Sequence, residues 1–168
     1  LAAAGCGGNP GLLPVEQTRL LMDTAVRIAV WKAPSAAEAE KGIDAAFAHM
    51  EQLEARISVY ADSSDIARIN RTGPAGRTDV SPAAARLLES VLELCRETRG
   101  ALDITTGDLK AAWGFERRPP AVPSDSVIRR LLPRVDYRKV RVRGGGVWVS
   151  PPAGSLDLGG AAKGFIID

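Results

Sequence analysis

The sequence predicts an α+β fold, a mixed sheet with helices packed on it. Three observations carry that class. Apolar and polar residues alternate in segments such as 22–31, 139–143 and 147–149; apolar residues recur at helical spacing in 43–57 and 87–95; and the two kinds of segment follow each other irregularly, not as a βαβ repeat. The chain has 168 residues, is 45% hydrophobic and 25% charged, and contains no internal repeat. That is enough to bury a core without disulfides or a structural metal.

The elements follow in order. Leu1-Ala-Ala-Ala-Gly5-Cys6 places small residues directly before a cysteine, and Gly7-Gly8-Asn9-Pro10-Gly11 has the composition of a flexible tether. The run is similar to the end of a bacterial lipoprotein signal peptide, whose Cys is lipidated. Residues 1–19 are therefore assigned to a lipobox remnant and tether, and 20–168 to one domain. With no apolar stretch near ~20 residues, a lipid on Cys6 would be the only membrane attachment, expected on the periplasmic or extracytoplasmic side of a bacterial membrane.

Met22 to Trp31 alternates Val26, Ile28 and Val30 with Arg27 and Ala29, which predicts a strand. Ser35-Ala-Ala-Glu38 is a capping box opening a helix of about six turns through Ile43, Phe47, Met50, Leu53 and Ile57. His49 lies off that stripe and receives no role. Ser81-Pro82 starts and Gly100 stops a second helix, in which Cys95 is a buried small hydrophobe. A third helix is expected over Gly107 to Phe115, and a fourth from a cap at Ser124 through Leu132. Lys139–Arg143 and Val147–Val149, joined by Gly144-Gly145-Gly146, read as a hairpin. Leu156-Asp157-Leu158 reads as a further strand, and Gly159-Gly160 as the opening of another helix.

Composition excludes one class of partner. The 22 basic and 20 acidic residues give a net charge of +2, and no stretch gathers Lys and Arg beside aromatics, so nucleic-acid binding is not expected. Arg117-Arg118, Arg129-Arg130 and Arg141-Val-Arg143 read as solvated faces.

Three clusters could carry chemistry. Ser155 to Phe165 runs from a strand through Gly159-Gly160 into a helix with Lys163 one turn in, which would offer backbone N–H groups and a positive charge to an anion. It lacks the Gly-Lys-Ser/Thr of a P-loop, and a Gly-Gly there also serves as a packing turn. Gly100 to Gly107, followed by Trp113-Gly114-Phe115, carries Asp103, Thr105 and Thr106, whose donors and acceptors suit a polar heterocycle; the same residues equally make a capped turn. Ser58-Val59-Tyr60, followed by Ser64-Asp65-Ile66 and Asn70, puts an aromatic face at a helix end.

Taken together and in this order, these motifs resemble those of the ApbE flavin transferases, also called thiamine-biosynthesis lipoproteins. The correspondence covers Met22-Asp23-Thr24, Ser58-Val59-Tyr60 with Ser64-Asp65-Ile66 and Asn70, Gly100 to Thr105 with Trp113-Gly114-Phe115, and Asp157 to Gly164. The resemblance implies an ApbE-like (T-fold-like) architecture and a Mg²⁺-requiring transferase that moves the FMN part of FAD to a Thr or Ser hydroxyl of a partner protein, releasing AMP. It implies redox-complex subunits as acceptors. It further implies FAD contacts from Met22, Tyr60, Ala101, Leu102, Asp103, Asp157 and Lys163, and a metal-ligating carbonyl from Gly160. An FAD pyrophosphatase on the same scaffold, or a non-enzymatic flavin-binding lipoprotein, are the alternatives.

The sequence departs from the family pattern at Asp23, where Gly is common, and at Asp108, where Pro is common. Family members are about twice this length. The fold is therefore expected to be incomplete at its C-terminus, with an Asp and a Thr metal ligand lacking. This chain alone is expected to release no AMP from FAD and Mg²⁺.

Overall fold

A computed structural model describes residues 14–73, 76–114 and 122–168. The chain divides into two units, residues 1–51 and 52–168.

In the first unit, β1 (Val15–Leu21) and β2 (Thr24–Val30) pair antiparallel, from Val15 opposite Val30 to Leu21 opposite Thr24. The two-residue turn between them, Met22-Asp23, has φ of 53° and 55°, the left-handed values that a tight hairpin turn requires. The strand predicted from Met22 therefore begins at Thr24. A second correction concerns Val15–Leu21, most of which lies in the stretch read as tether. Its less exposed positions, Val15, Gln17, Arg19 and Leu21, are half polar, while Leu20 points out and is 85% exposed, so no apolar alternation marks the strand. Arg19 instead lays its guanidinium 4.5 Å over the Phe47 ring and pairs with Asp44.

Helix α1 (Ala36–Ile57) begins as its capping box predicts, with the Glu38 N–H donating to Ser35 Oγ at 3.2 Å. Ile43, Phe47 and Met50 are buried on one face, and His49 is exposed. The helix runs across the boundary between the units and ends in the second.

The second unit contains α2 (Asp65–Thr72), β3 (Arg77–Asp79), α3 (Pro82–Glu97), α4 (Gly107–Trp113), α5 (Asp125–Leu131), β4 (Val140–Arg143), β5 (Gly146–Val149) and α6 (Ala162–Ile167). Helix α3 starts where Ser81 Oγ accepts from the Ala84 N–H, with Pro82 at the first position. It buries Leu87, Leu88, Val91 and Cys95. Strands β4 and β5 form the predicted hairpin, closed by Gly144 and Gly145 at φ of 53° and 71°. Strand β3 adds to the other edge of β5, in the order β3-β5-β4. Arg77 lies opposite Trp148 and stacks over its ring at 5.6 Å.

The α+β class holds. Among the described residues the strands form two small sheets, and every pairing in them is antiparallel. Leu156-Asp157-Leu158 is not a strand. Its neighbours are the Asn70 side chain and the loop before α4, which bond it too sparsely for a ladder. The assignments made to Cys6, to Arg117-Arg118 and to the Phe115 end of the third helix lie outside the described residues.

Candidate functional site

Loop 101–107 and segment 154–160 lie side by side, and this closeness builds the site. The Asp157 N–H donates to the Ile104 carbonyl at 2.8 Å, and the Gly107 N–H to the Ser155 carbonyl at 2.9 Å. Two glycines make the approach possible. A Cβ on Gly154 would lie 2.3 Å from the Thr105 carbonyl oxygen, and one on Gly107 would lie 2.7 Å from the Ser155 carbonyl oxygen, closer than atoms can pack.

Asp157 is the centre of the arrangement. Its side chain is 14% exposed, and its two oxygens have different partners: Oδ1 accepts from the Gly159 N–H at 2.8 Å, and Oδ2 from Lys110 Nζ at 2.7 Å. The same ammonium lies 3.4 Å from the Tyr60 hydroxyl and 5.8 Å from its ring centre. Tyr60 is 59% exposed. The hydrogen bond to Asp157 raises the Lys110 pKa, outweighing the opposing effect of burial, so the lysine stays cationic at any physiological pH.

The turn that presents Tyr60 is fastened by the serines of its motif. Ser58 Oγ accepts from the Tyr60 N–H at 3.2 Å, and Ser64 Oγ donates to the Ser58 carbonyl at 2.5 Å while capping α2 through the Ala67 N–H. Asp65 ties that cap to the start of α3, accepting from the Ser81 N–H and hydroxyl at 3.1 and 2.5 Å.

Asp103 makes the capped turn that its sequence equally allows. Oδ1 accepts from the Thr105 N–H at 2.8 Å and hydroxyl at 2.6 Å, and Oδ2 from the Tyr137 N–H at 2.8 Å. Thr105 is fully buried, and its Oγ1 also accepts from the Asp136 N–H at 2.7 Å. These groups fold the loop that leaves Ala101 exposed and Leu102 half-buried. Leu102 in turn would lie 3.6 Å from a Cβ on Gly160.

The structure thus brings Tyr60 and Asp157 together at Lys110, with Gly159 beside the ammonium and Gly160 next to Leu102. Lys163 is exposed and forms no ion pair among the described residues. Met22 is buried in the first unit, at the β1–β2 turn. The helix expected from Gly159-Gly160 begins at Ala162 and has only six residues. Several of the N–H groups there are already bonded, Gly159's to Asp157 and those of Ala161 and Ala162 to the Leu158 carbonyl. Fewer remain for an anion than the sequence suggests.

Lys110 is the residue that sequence reasoning missed. It belongs to no motif, and its partners lie 47 and 50 positions away. The only local signal is its place one turn into a predicted helix. Beside it on α4, Asp108 accepts from the Ser155 hydroxyl at 2.6 Å and pairs with Arg134 at 2.8 Å. That second contact is misaligned for a hydrogen bond and leaves Oδ2 with a Coulombic partner only.

Comparison with known proteins gives the family. A family model described as the ApbE family matches residues 22–168. The chain belongs to the ApbE family. An FAD:protein FMN transferase of Treponema pallidum (strain Nichols) is 31% identical over 173 aligned positions, which cover 97% of this chain and 47% of the relative. Another, from Vibrio cholerae, is 28% identical and is covered over 50% of its length. Among solved structures, the ApbE protein of Thermotoga maritima superposes with a TM-score of 0.83 at 26% identity, covering 92% of this chain and 50% of that one. The flavin transferase ApbE from Vibrio cholerae gives 0.80 at 25% identity, covering 93% of this chain and 51% of that one. This ApbE chain therefore spans about half the length of the curated relatives it matches.

Proposed function

We propose that the Tyr60–Lys110–Asp157 cluster is part of the FAD site of an FAD:protein FMN transferase. The observation that carries the reading is the convergence of an exposed aromatic face, a paired carboxylate and an exposed Gly-Gly turn on one place in an ApbE-family fold.

Tyr60 supplies a face on which a flat heterocycle stacks. Asp157 accepts from ring or ribose donors, and Ala101 and Leu102 supply backbone and apolar contact. Lys163, exposed one turn beyond the Gly-Gly turn, adds charge toward the diphosphate. Met22 belongs to the same reading from its place in the family motif. Asp103 acts by shaping the loop that presents Ala101 and Leu102.

In the proposed reaction a Thr or Ser hydroxyl of an acceptor protein attacks the phosphorus on the FMN side of FAD. The bond to the AMP phosphate breaks, and AMP leaves. Such a transfer depends on positioning and charge neutralisation more than on a protein nucleophile. Mg²⁺ would supply part of that neutralisation, with the Gly160 carbonyl as one hard ligand. No group of three or more His, Cys, Asp or Glu that could hold a metal occurs among the described residues. The described residues do not make up a metal site, and no step is assigned to the ion.

Subunits of membrane redox complexes fit as acceptors. Lipidation of Cys6 would place the enzyme on the periplasmic or extracytoplasmic side of a bacterial membrane. No helix among the described residues is long and apolar enough to cross one.

The test is to incubate the product of the complete gene with FAD, Mg²⁺ and an acceptor domain, and to weigh the acceptor by mass spectrometry. Acceptor carrying one FMN per AMP released supports the reading. Free FMN and AMP with unmodified acceptor shows hydrolysis instead.

A further inference from the structure

We propose that Lys110 is a positioning residue for the flavin-nucleotide substrate, acting through Asp157 and Tyr60. The proposal rests on the reading that those two residues face FAD.

The geometry is that of a clamp. Lys110 Nζ reaches Asp157 Oδ2 at 2.7 Å and the Tyr60 hydroxyl at 3.4 Å, so one ammonium joins the floor of the site to its aromatic wall. The ammonium lies beyond the hydroxyl end of the ring, 5.8 Å from the ring centre, so its hold on Tyr60 is through the hydroxyl oxygen. Asp157 depends on this contact. A carboxylate exposed by only 14% needs donors for its charge, and among the described residues the Gly159 N–H serves one oxygen and Lys110 the other.

Lys110 is itself held firmly. The first residue of its helix, Gly107, is bonded to the Ser155 carbonyl at 2.9 Å, and Asp108 is fixed by Ser155 at 2.6 Å and by Arg134 at 2.8 Å. Segment 155–157 therefore meets α4 at three successive points: Gly107, Asp108 and Lys110. The Asp157 carboxylate cannot turn without breaking a bond to a charged donor, and such bonds are the stronger kind. Removing Lys110 would free the Asp157 carboxylate to rotate and the Tyr60 ring to swing. Both would then have to be ordered again by the substrate.

The experiment is a double-mutant cycle on FAD affinity, read from quenching of flavin fluorescence, with K110M, D157N and the K110M/D157N double variant. Melting temperatures are recorded alongside. Because Lys110 is 35% exposed, K110M is expected to fold, and K110Q serves as a second truncation.

K110M should weaken FAD binding about tenfold or more, the size of one lost charged hydrogen bond. K110R should recover most of that loss. In the D157N background, K110M should change affinity by less than about twofold, as expected for residues that act as one unit. Losses that multiply independently would overturn the proposal in favour of direct contact between Lys110 and the diphosphate. Unchanged affinity in K110M, with the parent chain binding, would overturn it while leaving the site reading intact. These variants are made in the product of the complete gene, and failure of that parent protein to bind FAD would overturn both.

Discussion

Asn70 holds Leu156 as a neighbouring strand would. The Leu156 N–H donates to Asn70 Oδ1 at 2.7 Å, and Asn70 Nδ2 donates back to the Leu156 carbonyl at 3.0 Å. One side chain thus satisfies both backbone groups of a residue that is 2% exposed, directly before Asp157. Asn70→Ala should destabilise the protein by about 1–3 kcal/mol, because it leaves a buried donor and acceptor unpaired. Asn70→Asp should cost a similar amount, since it keeps the acceptor but loses the donor. Urea denaturation of the three proteins measures both losses, and an Asn70→Ala protein as stable as the parent would show that water replaces the amide.

The approach of loop 101–107 to segment 154–160 should tolerate no Cβ at Gly154. Alanine there would press on a backbone oxygen, not on a side chain that can move, and should cost about 1–3 kcal/mol. Gly42 is the control. It lies within α1 with nothing within 4 Å of a Cβ, so Gly42→Ala should stabilise by up to ~1 kcal/mol through helix propensity alone. Thermal denaturation should move the two variants in opposite directions.

Asp103 is expected to behave as a structural acceptor. Asp103→Ala strands the N–H groups of Thr105 and Tyr137 and the Thr105 hydroxyl, and should cost about 1–3 kcal/mol. A residue serving only to bind ligand would lose affinity without losing stability. Comparing melting temperature with FAD affinity in this one variant separates the two roles.

The ion pairs predict a pH profile. Hydrogen bonds from Arg138 hold the Asp136 carboxyl below its usual range. A carboxylate lowered on folding contributes stability that is present above its unfolded value, about 3.9, and lost as pH falls through the folded one. Lys110 has the opposite sign: its pKa is raised on folding. Its contribution is full below the unfolded lysine value, about 10.4, and fades as pH rises through the folded one. Melting temperatures should therefore show no change from Lys110 between about pH 6 and pH 9. Asp136→Asn should lower the melting temperature slightly at neutral pH and flatten the acid limb by the same small amount, because Arg138 is exposed and the pair is screened by solvent.

Much of this fold was legible because its signals are local. The Ser35–Glu38 box, Ser81-Pro82 and the glycines at 144 and 145 each fix a backbone conformation within a few residues. Strand β1 was not, because Arg19 faces the Phe47 ring and Asp44, where an aliphatic residue would have marked the strand. Nor was the true state of Leu156–Leu158, whose alternation is that of a strand but whose partner is a side chain. The site shows the same division. Tyr60 and Asp157 stand in motifs, and the structure brings them together; Lys110 owes its place to contacts across nearly fifty residues.

The central claim is that the face formed by Tyr60, Leu102, Lys110, Asp157 and Gly160 receives a flavin nucleotide. Backbone amide NMR of this chain, titrated with FAD, tests it most directly. Shift changes should concentrate at residues 59–61, 101–103, 109–111 and 157–161, and should be reduced in D157N. Changes centred instead on α3 or the β3-β5-β4 sheet, or no changes with FAD at millimolar concentration, would contradict it.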